Sequence, residues 1–187
     1  MADSPVAVVV SVAVVLRGGG DMFWLRMLKH FAAPAWLSRR LFRSADVTAI
    51  AAAVKAAESA HRGELRFVAE GPLALGHLWH GISPRQRALE LFGALRVWDT
   101  AENNGVLVYV QLVDRKVEIL ADRAISAKVS QVEWDSVCRE AEGAFAAKAY
   151  RRGALDVIDH IARLLSIHFP SRGHHRANEL PDLPLLL

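Results

Sequence analysis

The order of helical and strand-like periods predicts an α/β protein. It would be a three-layer α/β/α sandwich whose small mixed sheet holds a parallel pair plus an antiparallel edge hairpin. Three observations carry this. Residues 106–113 (VLVYVQLV) form a nearly unbroken apolar run, as expected of a strand covered on both faces. Residues 64–70 alternate, and the 35 residues between the two runs contain a helix, the crossover a parallel pair requires. Ser83-Pro84-Arg85-Gln86 and Ser130-Gln131-Val132-Glu133 are capping boxes, each followed by an apolar stripe of helical period.

Residues 45–61 open the folded region as a helix, with Val47, Ile50, Val54 and Ala57 on one stripe and Gly63 ending it. The first strand places Leu65 and Phe67 opposite Arg66 and Val68. The helix opened by Ser83 has Pro84 at its first position and buries Ala88, Leu91, Phe92 and Leu95. After the central strand, Asp114-Arg115 reads as a two-residue turn, and residues 116–122 alternate through Val117, Ile119 and Ala121. The helix opened by Ser130 carries Trp134, Val137, Cys138, Ala141 and Phe145 inward. A last helix, residues 151–168, runs through Leu155, Ile158, Ala162 and Leu165 until Pro170 stops it.

Outside residues 44–170 the character of the chain changes. Residues 5–16 (PVAVVVSVAVVL) are twelve uncharged residues, whereas a membrane-spanning helix needs roughly 20. The residues before them hold an acid and no base, so no secretory signal is expected. Residues 1–21 read as a disordered extension, or as a misassigned start with Met22 as the initiator. Residues 22–43 interleave Trp24, Met27, Leu28, Phe31 and Trp36 with Arg26, Lys29, Arg39, Arg40 and Arg43. Positions 24, 27, 28 and 31 share a helical face that Pro34 ends. Such a segment either packs its aromatics on the domain with its arginines solvated, or lies in a membrane interface through Trp24, Arg26, Lys29, Trp36, Arg39 and Arg40. Residues 171–187, with His174, His175 and Arg176, show no period and read as a flexible tail.

Composition narrows the chemistry. A formal charge of +3 is too small to announce a DNA-binding protein, and one cysteine, Cys138, excludes a disulfide framework. Residues 70–73 (EGPL) lack the glycine spacing and lysine of a phosphate loop, and no Gly-x-Ser-x-Gly elbow occurs. Cys138 lies on a buried stripe, as an inert thiol would, and His77 and His80 lack a nearby third ligand. With the turn at Asp114-Arg115, Val113 faces Lys116 and Asp122 lies opposite Leu107. Asp122 then shares a sheet edge with Asp99, Glu102, Asn103 and Asn104. These five could hold a hard cation, calcium or magnesium, because calcium takes 6–8 oxygens in irregular geometry. The same residues could instead cap helices, form turns and pair with Arg96 and Arg123. Glu70, Asp114 and Arg115 lie at the opposite, carboxyl edge, where ligands of parallel sheets usually sit.

Residues 96–99 (RVWD), leading through 102–105 (ENNG) into 106–110 (VLVYV), then 114–119 (DRKVEI) with Phe145, Tyr150 and Gly153, resemble the TPM domain family. That family includes thylakoid-lumen proteins implicated in photosystem II repair, an auxiliary protein of levamisole-sensitive receptors and bacterial proteins. The resemblance spans about residues 46–169. It implies an α/β/α fold, divalent-cation binding and, in some members, weak acid-phosphatase activity. This chain departs from the pattern after the third strand, where residues 122–127 (DRAISA) replace the family's Gly-x-Gly-x-Glu-Gly stretch. Three functions are therefore expected, in order. The first is a non-enzymatic accessory or interaction module at the cytoplasmic face of the inner membrane, working with a membrane protein or the membrane surface. The second is a divalent-metal-dependent phosphatase using Asp99, Glu102 and Asp122. The third is RNA contact through the basic flank.

Overall fold

In a computed structural model, which describes residues 21–171 and 178–187, the two predicted strands lie at the centre of the molecule. They are β1 (Glu64–Glu70) and β2 (Gly105–Gln111), parallel, with Glu64 facing Gly105 and Glu70 facing Gln111. Every residue of both is buried, which explains why β2 shows no polar alternation. β3 (Lys116–Ala121) pairs antiparallel with the far side of β2.

Helices cover both faces. Those preceding β1 are α1 (Asp21–Ala32), α2 (Leu37–Leu41) and α3 (Ser44–Ala60). Between β1 and β2 come α4 (Leu75–Trp79) and α5 (Pro84–Ala94), and after β3 come α6 (Arg123–Ser126), α7 (Gln131–Ala146) and α8 (Tyr150–His168). One face of the sheet sets Leu65, Phe67, Val106, Val108, Val110 and Ile119 against apolar residues of α3, α7 and α8. The other sets Val68, Leu107, Tyr109 and Leu120 against Ala88, Leu91 and Phe92 of α5. The predicted three-layer α/β/α sandwich is the observed one.

Both capping boxes form as written in the sequence. The Gln86 amide donates to Ser83 Oγ at 3.2 Å and the Ser83 amide to Gln86 Oε1 at 2.8 Å. The Ser130 amide donates to Glu133 Oε2 at 2.8 Å, and the Glu133 amide to Ser130 Oγ at 3.4 Å.

Two features differ from expectation. Residues 178–187 are not a loose tail: they carry β4 (Leu185–Leu186), which pairs parallel with Val68 and Ala69 and makes the sheet order β3-β2-β1-β4. The segment has no period of its own because a neighbouring strand edge supplies its hydrogen bonds. The hairpin is also two residues out of the expected register, with Gln111 opposite Lys116 and Val106 opposite Ala121. The Gln111 side chain accepts the amides of Val113 (2.7 Å) and Asp114 (3.1 Å), winding residues 112–115 into the turn, with Arg115 left-handed at φ 54°. A shift of two keeps every side chain on its expected face. The apolar run 5–16 and the residues His174, His175 and Arg176 lie outside the described residues.

Candidate functional site

The amino edge of β2 is built by a turn that needs its own residue types. Asn103 is left-handed at φ 52°, and a Cβ on Gly105 would stand 1.9 Å from the Val97 carbonyl oxygen. The hairpin register brings Asp122 level with Gly105, where its amide donates to the Gly105 carbonyl at 2.9 Å. Asp122 thus sits closer to Asn104 than the expected pairing with Leu107 would place it.

The five cation candidates have separate engagements. Asp99 pairs with Arg96 on the surface, and Glu102 takes Arg62 at 2.6 Å. Asn103 Oδ1 accepts from Arg123 at 3.1 Å. Asn104 is fully buried, its amide on Thr100 Oγ1 (3.0 Å) and its side-chain nitrogen on the Arg62 carbonyl. Asp122 is also buried and caps α6, its Oδ1 accepting the Arg123 amide at 2.6 Å; burial raises its carboxyl above the ordinary value. Two oxygens, Asn104 Oδ1 and Asp122 Oδ2, are buried with no hydrogen-bond partner. Among the described residues no three His, Cys, Asp or Glu converge as a metal cluster.

The carboxyl edge holds a denser network that the sequence reading missed. Glu70, buried at the end of β1, receives Arg87 through both Nε (3.1 Å) and Nη2 (2.9 Å), and the Tyr109 hydroxyl at 2.6 Å. Burial, then the neighbouring Glu70 charge, pushes the Tyr109 phenol well above its ordinary value. The lone hydroxyl inside an otherwise apolar run was the available signal, since a buried Tyr requires a partner. With its hydroxyl and guanidinium partners in place, Glu70 is a paired anion that holds α5 to the sheet.

Beside it, Asp114 in the hairpin turn anchors α1. Arg26 Nη2 lies 2.9 Å from Asp114 Oδ2, and His30 Nε2 lies 3.1 Å from Oδ1. His30 Nδ1 accepts the Leu73 amide at 3.0 Å, so the neutral ring carries its proton on Nε2 and donates it to Asp114. Burial would raise the Asp114 carboxyl, but the His30 hydrogen bond and the Arg26 charge outweigh it and hold the carboxyl below its ordinary value.

These bonds turn α1 away from the packing expected of it. Arg26, Met27 and the fully buried His30 face the domain, so Arg26 is a latch to Asp114 rather than a surface contact. Trp24, Leu25, Leu28 and Phe31 lie on the outer side, 53–77% exposed. Trp36 is also exposed, with the Arg40 guanidinium 5.2 Å from its ring centroid, and Lys29 and Arg39 are exposed nearby in sequence. The expectation of packed aromatics and solvated arginines is reversed for Arg26, because a buried counter-charge outweighs apolar burial there.

His77 caps no site and pairs with Glu90 at 3.3 Å. Cys138 is half-buried, its thiol pushed up to about 12 by burial, which fits an inert side chain. No described helix is long and apolar enough to cross a membrane.

A four-stranded mixed sheet between α5 and the α3–α7–α8 layer, with a tight Asn-Asn-Gly turn entering the central strand, defines a small α/β/α domain class. The family model for the TPM domain matches residues 38–164, more than half of the chain, and the protein belongs to that family. Among solved structures it is similar to the BA42 protein of the psychrophilic bacterium Bizionia argentinensis, at 27% identity and TM-score 0.68. That match covers 78% of this chain and 94% of the other. The N-terminal domain of the cg2496 protein from Corynebacterium glutamicum matches at 17% identity and TM-score 0.49, over 72% of this chain and 84% of that domain. No curated protein matches the chain.

Proposed function

We propose that this TPM domain is a non-enzymatic accessory module that docks peripherally on an anionic membrane surface, at the cytoplasmic face of the inner membrane, through α1 and α2. One observation carries the reading: α1 turns Trp24, Leu25, Leu28 and Phe31 to solvent, while Arg26 and His30 hold its other side to Asp114. Leaving four large apolar side chains of one helix face in water forgoes roughly 1.5–3 kcal/mol each. A lipid interface recovers that energy, with Trp24 and Trp36 at headgroup depth and Lys29, Arg39 and Arg40 facing acidic headgroups.

Vesicle flotation tests this. The full chain is expected to float with vesicles containing phosphatidylglycerol, more weakly with pure phosphatidylcholine, and to lose flotation in Trp24→Ser/Leu28→Ser. Unchanged flotation of that variant, or none by the parent protein, overturns the reading.

Divalent-cation binding with phosphatase chemistry is the second reading, favoured by Asn104 Oδ1 and Asp122 Oδ2. Two buried acceptors without donors are costly, and coordination of a calcium or magnesium ion at this edge would offset that cost. The cation would polarise a phosphoryl oxygen, and these two residues would hold it in place. Calorimetric titration of the whole protein with calcium, then magnesium, should give saturable heat that Asp122→Asn abolishes while the fold persists. An absence of heat at millimolar ion retires both the cation and the phosphatase.

A further inference from the structure

The edge of β1 opposite β2 is occupied by residues 178–187, which it holds largely through their main chain. Glu64 and Arg66 are charged residues inside a central strand, 6% and 9% exposed. Both are turned onto the main chain of this segment. Glu64 Oε2 accepts the amides of Glu179 (3.2 Å) and Leu180 (3.3 Å). Arg66 Nη1 donates to the carbonyls of Pro181 (2.7 Å) and Leu183 (2.6 Å). The strand edge then continues the ladder, with the Leu187 amide on the Ala69 carbonyl (3.0 Å) and the Gly71 amide on the Leu187 carbonyl (2.9 Å).

Leu180 is the one fully buried side chain of the segment, against the α5 face of the sheet. Leu185 and Leu186 are half-buried and pack on the α5 face and the opposite face respectively. Pro181 and Pro184 bring no amide that the edge would have to satisfy. Burying a carboxylate and a guanidinium is expensive unless they are bonded, and both are arranged around the bent backbone of residues 179–183 that leads into β4. Main-chain bonds of this kind supply affinity in strand addition, and the pockets that take alternate side chains supply specificity.

We propose that the β1 edge is a strand-accepting peptide site whose resident ligand is residues 178–187. In trans it takes, from a partner protein, a leucine- and proline-rich segment that bends as residues 179–183 do and ends in a short strand. The partner segment runs parallel to β1, places a leucine in the Leu180 pocket, offers two amides to Glu64 and two carbonyls to Arg66, and tolerates proline between them. The bonds that hold the segment come from β1 and Gly71 and none from α1, although Gly71 also lies against Leu37 at the start of α2.

The probe is a fluorescein-labelled peptide of residues 178–187 (NELPDLPLLL), followed by anisotropy with full-length protein. In the parent chain the tethered segment competes at an effective concentration of about millimolar. Leu180→Asp in the full chain empties the pocket. That variant is expected to bind the peptide at least about tenfold more tightly than the parent, by this mass-action argument. A peptide carrying the same Leu180→Asp change should bind neither protein. A folded Leu180→Asp chain that ignores the parent peptide overturns the proposal. Hydrogen exchange on the unaltered protein gives a second measurement, should that variant not fold. The Leu187 and Gly71 amides are expected to exchange at least about tenfold faster than the Leu112 amide on the Glu70 carbonyl, because the segment opens locally. Equal protection of all three makes the segment an inseparable part of the core and overturns the proposal.

Discussion

Glu58 and His61 set opposite limbs of the protein's pH dependence from the same end of α3. Burial, aided by the Glu64 and Asp182 charges and a hydrogen bond with Asp182, raises the Glu58 carboxyl from 4.5 to about 8. The folded protein therefore holds a proton that the unfolded chain has lost, so this stabilisation is complete below 4.5 and drains away as pH rises towards 8. Burial lowers His61 from 6.5 to about 4, so its contribution is complete above 6.5 and disappears as pH falls to about 4. Urea midpoints measured across this range should fall on both sides. Glu58→Gln, whose amide oxygen can still accept the Leu65 amide, should flatten the alkaline limb and leave the acid limb in place. At Gly105 the constraint is steric: a methyl group would occupy the Val97 carbonyl. Gly105→Ala should cost about 3 kcal/mol or more in denaturant unfolding, among the larger single-residue effects.

Among the elements, α5 is specified from within and α1 from without. Ser83 and Pro84 fix where α5 begins whatever packs against it, so Ser83→Ala should cost about 1 kcal/mol in chemical denaturation with no change in fold. α1 has an apolar stripe that its sequence would have buried. What orients it is Asp114, far away in the chain, which gathers Arg26 and His30 and leaves Trp24, Leu28 and Phe31 outside. Asp114→Ala strips the His30 Nε2 proton of its acceptor and Arg26 of its counter-ion. The expected outcome is rapid hydrogen exchange across the amides of α1 while β1 and β2 stay protected; unchanged protection of α1 would show that apolar contacts suffice to hold it.

At the scale of the molecule, the sheet has different chemistry at its two ends and along its outer strand. The amino end carries the buried oxygens of Asn104 and Asp122, the carboxyl end carries the Glu70 and Asp114 ion clusters, and β4 closes the free side of β1. The ion clusters tie crossover elements to strands: Arg87 of α5 reaches Glu70, and Tyr109 of β2 reaches the same carboxylate. Tyr109→Phe removes one hydrogen bond to that anion while Arg87 remains. It should lower stability by about 1–3 kcal/mol without loosening the parallel register, as a charge-assisted bond predicts.

The helices and strands of the core, and their order, are legible in the amino-acid sequence. Those rest on local signals: the unbroken apolar run of β2, the Ser83 and Ser130 capping boxes, and the stop at Pro170. It also carried the parallel pairing, because a crossover containing a helix leaves little alternative. Of the candidate cation residues, it marked Asn104 and Asp122 as edge neighbours and offered Arg96 as a partner for the acids there, but nothing in it pointed to Arg62 as the partner of Glu102. The hairpin register, the outward turn of α1 and the docking of residues 178–187 depend instead on how the chain folds back on itself. In each case the deciding group is distant or lies outside the backbone pattern: the Gln111 side chain in the turn, Asp114 beneath α1, and Glu64 and Arg66 along β1. Hydrophobic period reports which residues leave water. It does not report where a buried charge or an open strand edge finds its partner.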